Sequence, residues 1–182
     1  MIANTISKAY MLGAFHDGTY NSHHKTFRFC QKEKEWLEML QNCLESIGSK
    51  SWMYKEGKTR NLFVLETTAS FLHDQFSFAK SSTEEQIAYI RGYFDAEGGI
   101  PQKMDSRYYI QLCQNNEQEL TDIKVALEQM DIKCGKIHNP SHKVDSEYFR
   151  FYLLSESHKR FMDKIGSWHP RKSKIFDLRM KI

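Results

Sequence analysis

Two acidic residues, Asp17 and Glu97, end stretches of the chain that resemble each other. Each stretch begins with Ala-Tyr, has a glycine four residues after that alanine (Gly13 and Gly92), and closes with an acid followed by glycine. Because helical residues four apart share a face, each stretch predicts a helix with a stripe of small residues. A second backbone can approach such a stripe closely.

The residues after the two acids are also glycines, Gly18 and Gly98. They are expected to end the helices in the left-handed conformation that glycine adopts at this position. Asp17 and Glu97 would then lie on the last helical turns, where a carboxylate faces the negative end of the helix dipole. Two such carboxylates side by side need a cation between them, so the spacing predicts a metal site.

The composition of the whole chain narrows the class of protein. Its 182 residues carry a net charge of +3, which is compatible with nucleic acid without requiring it. The sequence has no apolar run of the length that spans a membrane, and no secretory leader is recognisable. Its four cysteines form no CxxC pair. We expect an intracellular protein, in the cytoplasm or nucleoid, or in an organelle if the source is eukaryotic.

Hydrophobic periodicity predicts a similar order of elements in residues 1–80 and 81–182, which we expect to be two tightly joined halves. Each half begins with a motif helix and continues with a strand, a helix, a hairpin and a short helix. An offset of 83 residues places Gln31 over Gln114. The basic segment His169–Lys174 has no counterpart in the first half and leads into a final helix.

Several boundaries follow from local signals. Ser7 is predicted to cap the first motif helix, and Thr83 with Gln86 to form a capping box at the start of the second. In the second half, the alternating segment 107–113 predicts a strand, and a hairpin is expected within 133–154.

The predicted strands alternate between an apolar and a polar face. Arginine and glutamine can contact base edges in the major groove of DNA, into which a two-stranded ribbon fits. A solvated sheet face is the alternative explanation of such a pattern. The candidate DNA-binding residues on the polar face are Thr26, Arg28, Arg107, Tyr109, Gln111, Lys136, His138, Tyr148, Arg150 and Tyr152.

The two acidic stretches resemble the motif of the LAGLIDADG homing endonucleases, in the single-chain, two-motif, archaeal intron-encoded type. The stretch ending at Glu97 has the full glycine-to-acid spacing, whereas the one ending at Asp17 is one residue shorter. The resemblance implies an α+β fold, a pseudo-two-fold repeat of two αββαββα-type halves. The motif helices would pair at the interface, and the antiparallel sheets would form a saddle over double-stranded DNA.

The resemblance also implies a metal-dependent reaction. Mg²⁺ or Mn²⁺ would be held by Asp17, Glu97 and the backbone carbonyls of His16 and Ala96. The implied activity is cleavage of both strands of a long DNA target site, leaving short 3′ overhangs.

Members of this family often have a glutamine and a lysine near each acid. Gln31 and Lys32 fit this pattern in the first half, whereas Gln114 in the second half is followed by asparagine. Lys103, in the loop after Glu97, is the candidate for the missing charge.

A further set of basic residues is predicted to contact DNA phosphates: Arg171, Lys172 and Lys174. The chain is expected to act as a monomer. Two alternatives stay open. One is a catalytically weakened DNA- or RNA-binding relative, such as an intron splicing maturase. The other is an unrelated α/β pseudo-dimer with a small-molecule site at its interface.

Overall fold

In the computed structural model, which describes residues 2–57 and 61–180, α-helices alternate with antiparallel strands along the chain. The described chain divides into two units. The first extends to Ala96 and includes Ser167–Pro170, whereas the second comprises Glu97–Gly166 and the chain from Arg171 onward. The predicted α+β class is confirmed. The predicted repeat boundary after Lys80 stays a prediction, because the division into units follows packing and not the repeat.

The first unit has the elements predicted from periodicity in the predicted order, with one further strand, at Gly18–Asn21, that the pattern did not predict. Its helices and strands are α1 (Ile2–Ala14), β1 (Gly18–Asn21), β2 (Thr26–Gln31), α2 (Lys34–Ser46), β3 (Ser51–Lys55), β4 (Phe63–Thr67) and α3 (Thr83–Glu97), the last residue of α3 belonging to the second unit. The short helix expected after β4 consists of 3₁₀ turns at Ser70–His73 and Phe78–Lys80.

The four strands of the first unit form one antiparallel sheet in the order β1-β2-β4-β3. The alternation predicted for β2 is present, since Phe27 and Phe29 are buried while Arg28 between them is half-buried. Helix α2 lies against β2, β3, β4 and α1 and buries Trp36, Leu37, Leu40, Cys43 and Leu44. The apolar face of the sheet and this helix therefore form the core of the first unit.

Helices α1 and α3 meet backbone to backbone at two glycines. A Cβ atom added to Gly13 would collide with the carbonyl oxygen of Tyr89 and lie 2.6 Å from the amide nitrogen of Tyr93. A Cβ atom added to Gly92 would collide with the carbonyl oxygen of Tyr10. The contact is reciprocal, and only glycine fits at either position. This agrees with the predicted stripe of small residues.

The ends of the motif helices differ from the prediction. Helix α1 ends at Ala14 and continues as a 3₁₀ turn over Phe15–Asp17, after which Gly18 begins β1 with extended backbone (φ −99°, ψ 164°). Gly98 is also absent from the positive-φ residues of the described chain. Neither glycine is a left-handed cap, because each leads directly into a segment that pairs as a strand.

The starts of the motif helices also differ from the prediction. Helix α1 is already helical at Ile2, so Ser7 lies within it and does not cap it. At the start of α3 the capping box is formed by Ser82 and Glu85, one residue earlier than predicted. The Glu85 carboxylate accepts from the Ser82 amide at 2.8 Å, and the Ser82 hydroxyl accepts from the Glu85 amide at 3.3 Å.

The second unit has a smaller sheet than the first. It contains β5 (Gln111–Gln114), α4 (Glu117–Gln129), β6 (Phe149–Tyr152), α5 (His158–Lys164) and α6 (Pro170–Met180), whose Pro170 belongs to the first unit. Strands β5 and β6 pair antiparallel. The predicted strand over 107–113 is shorter than expected. Residues 133–138 form no strand and pair through isolated bridges, of Cys134 with Leu153 and of His138 with Arg150.

Apolar residues of α4 and of the two strands form the core of the second unit. Phe149, which was predicted to point inward, is only half-buried. The other side chains predicted to point inward are buried: Ile110, Leu112, Leu120, Ile123, Leu127, Met130, Phe151 and Leu153. The side chain of Asn116 caps α4 by accepting from the Glu119 amide. Within residues 2–57 and 61–180, no helix is long and apolar enough to cross a membrane.

The glycine contact makes a stability prediction. Gly92→Ala adds one carbon against the backbone of α1, and overpacking of this kind typically costs about 1–3 kcal/mol. Gly99→Ala is the matched control, because its Cβ would lie 3.6 Å from the nearest atom, an ordinary contact. We expect thermal unfolding to show a clear fall in melting temperature for Gly92→Ala and a small change for Gly99→Ala. Equal melting temperatures would contradict the contact.

Candidate functional site

Asp17 is exposed at the end of the 3₁₀ turn that prolongs α1. Because Gly18 pairs with Phe29 in the sheet, the residues that follow Phe29 run back beside those that precede Gly18. The side chain of Gln31 consequently reaches Asp17, and its Nε2 donates to Oδ2 at 2.5 Å. The structure therefore brings together two predicted site residues. Lys32, the next residue along the chain, is exposed.

The shorter spacing of the first motif is compensated by its helix type. A 3₁₀ turn rises about 2.0 Å per residue, whereas an α-helix rises about 1.5 Å. From Gly13 to Asp17 the chain has one α and three 3₁₀ steps, and from Gly92 to Glu97 it has five α steps. Both paths advance about 7.5 Å along the helix axis. Ideal rises therefore predict the same axial distance from glycine to acid in the two motifs.

The His16 side chain is engaged in packing against α3. Its Nε2 lies 3.1 Å from the Tyr89 hydroxyl, and its ring packs edge-on against Tyr93 with centroids 4.8 Å apart. This contact orients the residue before Asp17.

Glu97 is half-buried at the end of α3, and hydrogen bonds hold the backbone around it. The Cys113 thiol donates to the Glu97 carbonyl at 3.2 Å. Gly99 exchanges two backbone hydrogen bonds with Gln111, at 2.8 and 2.9 Å. Strand β5 therefore fixes the backbone on both sides of Gly98.

The other site residues predicted for the second half occupy different elements. Gln114 ends β5 opposite Phe149, which matches the place of Gln31 at the end of β2. Lys103 is exposed in the loop after Glu97, and its carbonyl accepts from the Arg179 guanidinium.

The acids fit a cation that takes few protein ligands. Among the residues that the structure describes, no group of three or more His, Cys, Asp or Glu side chains could hold a metal ion. Mg²⁺ keeps several waters and is commonly bound by one or two carboxylates together with substrate phosphate. Asp17 is an exposed carboxylate that accepts from one amide, and it can therefore serve as a ligand of this kind for Mg²⁺.

On the polar face of the first sheet, Arg28 is surrounded by acids. Its guanidinium lies 2.8 Å from Glu66 and 3.0 Å from Glu56, and it also donates to the Tyr54 hydroxyl at 3.3 Å. The hydrogen bond that Arg28 donates to the Glu56 carboxylate raises the pKa of Arg28 above its ordinary value. Neither Glu56 nor Glu66 was predicted from the sequence, although Glu66 directly opposes Arg28 in the register of β2 and β4.

Arg28, Tyr54 and Glu66 line an open concavity of about 540 Å³ on the first sheet. Trp52 and Tyr54 are exposed there, which adds aromatic surface that the sequence analysis did not assign. Thr26 is only 4% exposed, so its predicted contact with DNA is limited by burial. The lining residues are Asn21, His24, Thr26, Arg28, Trp52, Tyr54, Glu66 and Thr68.

The polar face of the second sheet brings together most of its predicted residues. Gln111 Nε2 donates to the Tyr148 hydroxyl at 3.4 Å, and the Arg150 guanidinium lies 5.2 Å from the centre of the Tyr152 ring. The His138 ring also stacks on the Tyr152 ring, with centroids 6.3 Å apart. Tyr109 packs edge-on against the same ring, whereas Arg107 and Lys136 are exposed nearby in the chain.

The basic residues near the C-terminus do not behave as one group. Arg171 and Lys174 are exposed, as a phosphate-binding segment requires. Lys172 is only 3% exposed, and its Nζ donates to the Gly98 carbonyl at 2.7 Å. The predicted phosphate contact of Lys172 is therefore wrong, because α6 turns this side chain into the protein.

A buried acid within the second motif was missed by the sequence analysis. Asp95 is 2% exposed and accepts hydrogen bonds from the Tyr10 hydroxyl (2.7 Å) and the backbone amides of Trp168 (2.9 Å) and His169 (3.1 Å). Burial raises the pKa of Tyr10 well above its ordinary value of 10, and the negative charge of Asp95 raises it further. The motif helix thereby holds the residues that precede α6. The sequence signal of Asp95 is a carboxylate next to the aromatic residues Tyr93 and Phe94.

Comparison with known proteins agrees with this geometry. Residues 84–166 match the family model of the LAGLIDADG-like domain. No curated protein sequence matches the chain. The family match contains the second motif, and it confirms the predicted resemblance for that part of the chain.

Solved structures extend the similarity to nearly the whole chain. A mesophilic variant of the homing endonuclease I-DmoI superposes with a TM-score of 0.70 at 17% identity, over 98% of this chain and 100% of that one. I-DmoI in complex with DNA and Mn gives 0.64 at 18% identity, over 90% and 97%. The N-terminal LAGLIDADG domain of DUF199/WhiA gives 0.67 at 14% identity, over 90% and 82%. The chain therefore has the LAGLIDADG fold.

Proposed function

We propose that this protein is a homing endonuclease that makes site-specific double-strand breaks in a long DNA target and leaves short 3′ overhangs. The observation that carries the proposal is the pair of motif helices in backbone contact at Gly13 and Gly92. One motif closes with Asp17 in the 3₁₀ turn that follows α1, and the other with Glu97 at the end of α3. I-DmoI, which has this fold, is a homing endonuclease.

Asp17 and Glu97 are the residues that would hold the metal, with the backbone carbonyls of His16 and Ala96 as further ligands. I-DmoI has been solved with Mn, with Ca and with Mg. When bound, Mg²⁺ or Mn²⁺ lowers the pKa of an attacking water and stabilises the leaving 3′ oxygen. Gln31 orients the Asp17 carboxylate through its amide.

The polar faces of the two sheets would contact the DNA. On the second face, Arg150 and Gln111 are the side chains with the donor geometry for purine edges. On the first face, Arg28 is paired with Glu56 and Glu66, and a carboxylate can accept from the exocyclic amine of cytosine. Arg171 and Lys174 would contact phosphates. We further propose that the protein acts as a monomer inside the cell and is of the archaeal, intron-encoded type.

A second candidate is a relative that binds DNA or RNA without cutting it. The fold alone does not separate the two, since it occurs both in I-DmoI and in DUF199/WhiA. The separating experiment incubates the protein and Mg²⁺ with a plasmid library of random target sites and sequences the ends produced. Double-strand ends with 3′ overhangs at one recurring sequence support the endonuclease. Intact plasmid together with salt-dependent DNA or RNA binding supports the second candidate.

Substitution of the acids tests the assignment of the catalytic residues. Asp17→Asn and Glu97→Gln should each lower double-strand cleavage by more than about 100-fold, because loss of partners outside the metal ligands already costs about 10–100-fold. Gln31→Leu should fall within that smaller range. DNA affinity in Ca²⁺ should stay near that of the wild type. Asp163→Asn, on an exposed acid of α5 paired with Lys159, is the control and should cut normally.

Base contacts and phosphate contacts should respond differently to substitution. Arg150→Ala should cost about 1–3 kcal/mol and relax the preference at one or two target positions, as expected of a base contact. Lys174→Ala should weaken binding evenly across sequences and reduce the salt slope by about one unit. Cleavage of a randomised site and binding titrations at several salt concentrations measure both effects. Equal, sequence-independent losses for the two variants would contradict base contact by the sheet.

A further inference from the structure

Helix α6 has no counterpart in the first half of the chain, and one of its faces carries two inward-directed basic residues. Lys172 and Arg179 are seven residues apart, which places them on the same side of the helix. Both donate to backbone carbonyls of the segment that follows Glu97. The helix therefore contacts the stretch of chain that leaves the second motif.

Lys172 contacts the first residue of that stretch. Lysine is almost never fully buried unless it is paired, and here a residue only 3% exposed directs its Nζ to the Gly98 carbonyl at 2.7 Å. Carbonyls at the end of a helix have no partner within the helix, and a cation is favourable at this negative end of the dipole. Lys172 thus donates a hydrogen bond to the carbonyl at the end of α3, one residue after Glu97.

Arg179 contacts the far part of the same stretch. Its guanidinium donates to the carbonyls of Lys103 and Ser106, each at 3.1 Å, and lies 5.0 Å from the centre of the Tyr108 ring. The loop is therefore held by α6 at two points, one beside the acid and one beside the predicted site lysine, Lys103.

In the first half, the backbone after the acid is held by a strand. Asp17 is followed directly by β1, whose four residues all pair with β2, so the sheet itself fixes the chain after the acid. In the second half the described residues between Gly98 and β5 pair with a strand only at Gly99. The basic side chains of α6 supply the restraint that β1 supplies to Asp17.

We propose that Lys172 is a positioning residue for Glu97, and that α6 takes the place in the second half that β1 has in the first. The effect of this restraint on catalysis rests on the proposed function. Lys172 acts through the backbone of Gly98 and thereby orients Glu97 and the preceding carbonyl of Ala96. Its role is local to one of the two acids.

Strand-resolved cleavage tests this role, because a restraint on one acid changes the two strands unequally. The two strands of a cognate target carry different labels, and the initial rate is measured for each with wild type, Lys172→Met and Arg179→Met. We expect Lys172→Met to change the ratio of the two strand rates by at least about 10-fold, and Arg179→Met to change it in the same direction by less. Lys159→Met, an exposed lysine of α5, should leave the ratio at the wild-type value.

Equal losses on both strands in Lys172→Met would mean a general effect on folding and would overturn the proposal, as would an unchanged ratio. Amide hydrogen exchange of the metal-free, DNA-free protein provides a second readout. The Gly99 amide, bonded to the Gln111 carbonyl, should exchange about 10-fold faster in Lys172→Met, while amides inside α4 keep their wild-type rates. Unchanged exchange at Gly99 would contradict the restraint.

If Lys172→Met does not fold, Arg179→Met carries the same two measurements, with Ser106 replacing Gly99 as the reporting amide. A wild-type protein that cuts neither strand would overturn the proposed function without deciding the role of Lys172. The exchange measurement then decides it alone, by the outcomes already stated.

Discussion

The approach of two helix backbones at Gly13 and Gly92 is the constraint on which the first unit depends. A side chain at either glycine would overlap the carbonyl of the facing helix, so the helices can be this close only where both residues lack a Cβ. The same contact brings Tyr10 of α1 against Asp95 of α3, where the phenol donates to the carboxylate in the protein interior. A buried carboxylate is costly unless donors surround it. The backbone amides of Trp168 and His169 complete those donors, so the helix pair also holds the two residues that precede Pro170.

The two halves of the chain share a sequence pattern but stabilise their acids by different means. After Asp17 the chain enters a four-stranded sheet, and a strand neighbour supplies Gln31. After Glu97 the sheet has only two strands, and the thiol of Cys113 and the ammonium of Lys172 hold the backbone instead. An ammonium beside a carbonyl gives a stronger hydrogen bond than a neutral donor does. The smaller sheet is thereby offset by a charged contact from an added helix.

The sequence predicted features that depend on local spacing. The four-residue interval of alanine and glycine led to the helix contact, and strict alternation led to the apolar and polar faces of β2 and β5. Features that depend on distant partners were not predictable in this way. No local pattern indicates that Lys172 points inward, because its partner, the Gly98 carbonyl, lies 74 residues earlier in the chain. Arg28 is similar: its acidic partner Glu66 became visible only when the pairing of β2 with β4 was known. The end of α1 shows a third case, since a 3₁₀ turn replaces the α-helical turn without a clear signal in composition.

The reciprocal glycine contact is tested most directly by amide hydrogen exchange along both helices under native conditions. If the backbones of α1 and α3 support each other, the amides of residues 10–14 and 89–93 open together. Their exchange should then follow the free energy of global unfolding, as expected for the most stable cooperative unit of a fold. That result would support the account. Exchange in one helix at a free energy well below that of the other would show that they open separately, and would contradict it.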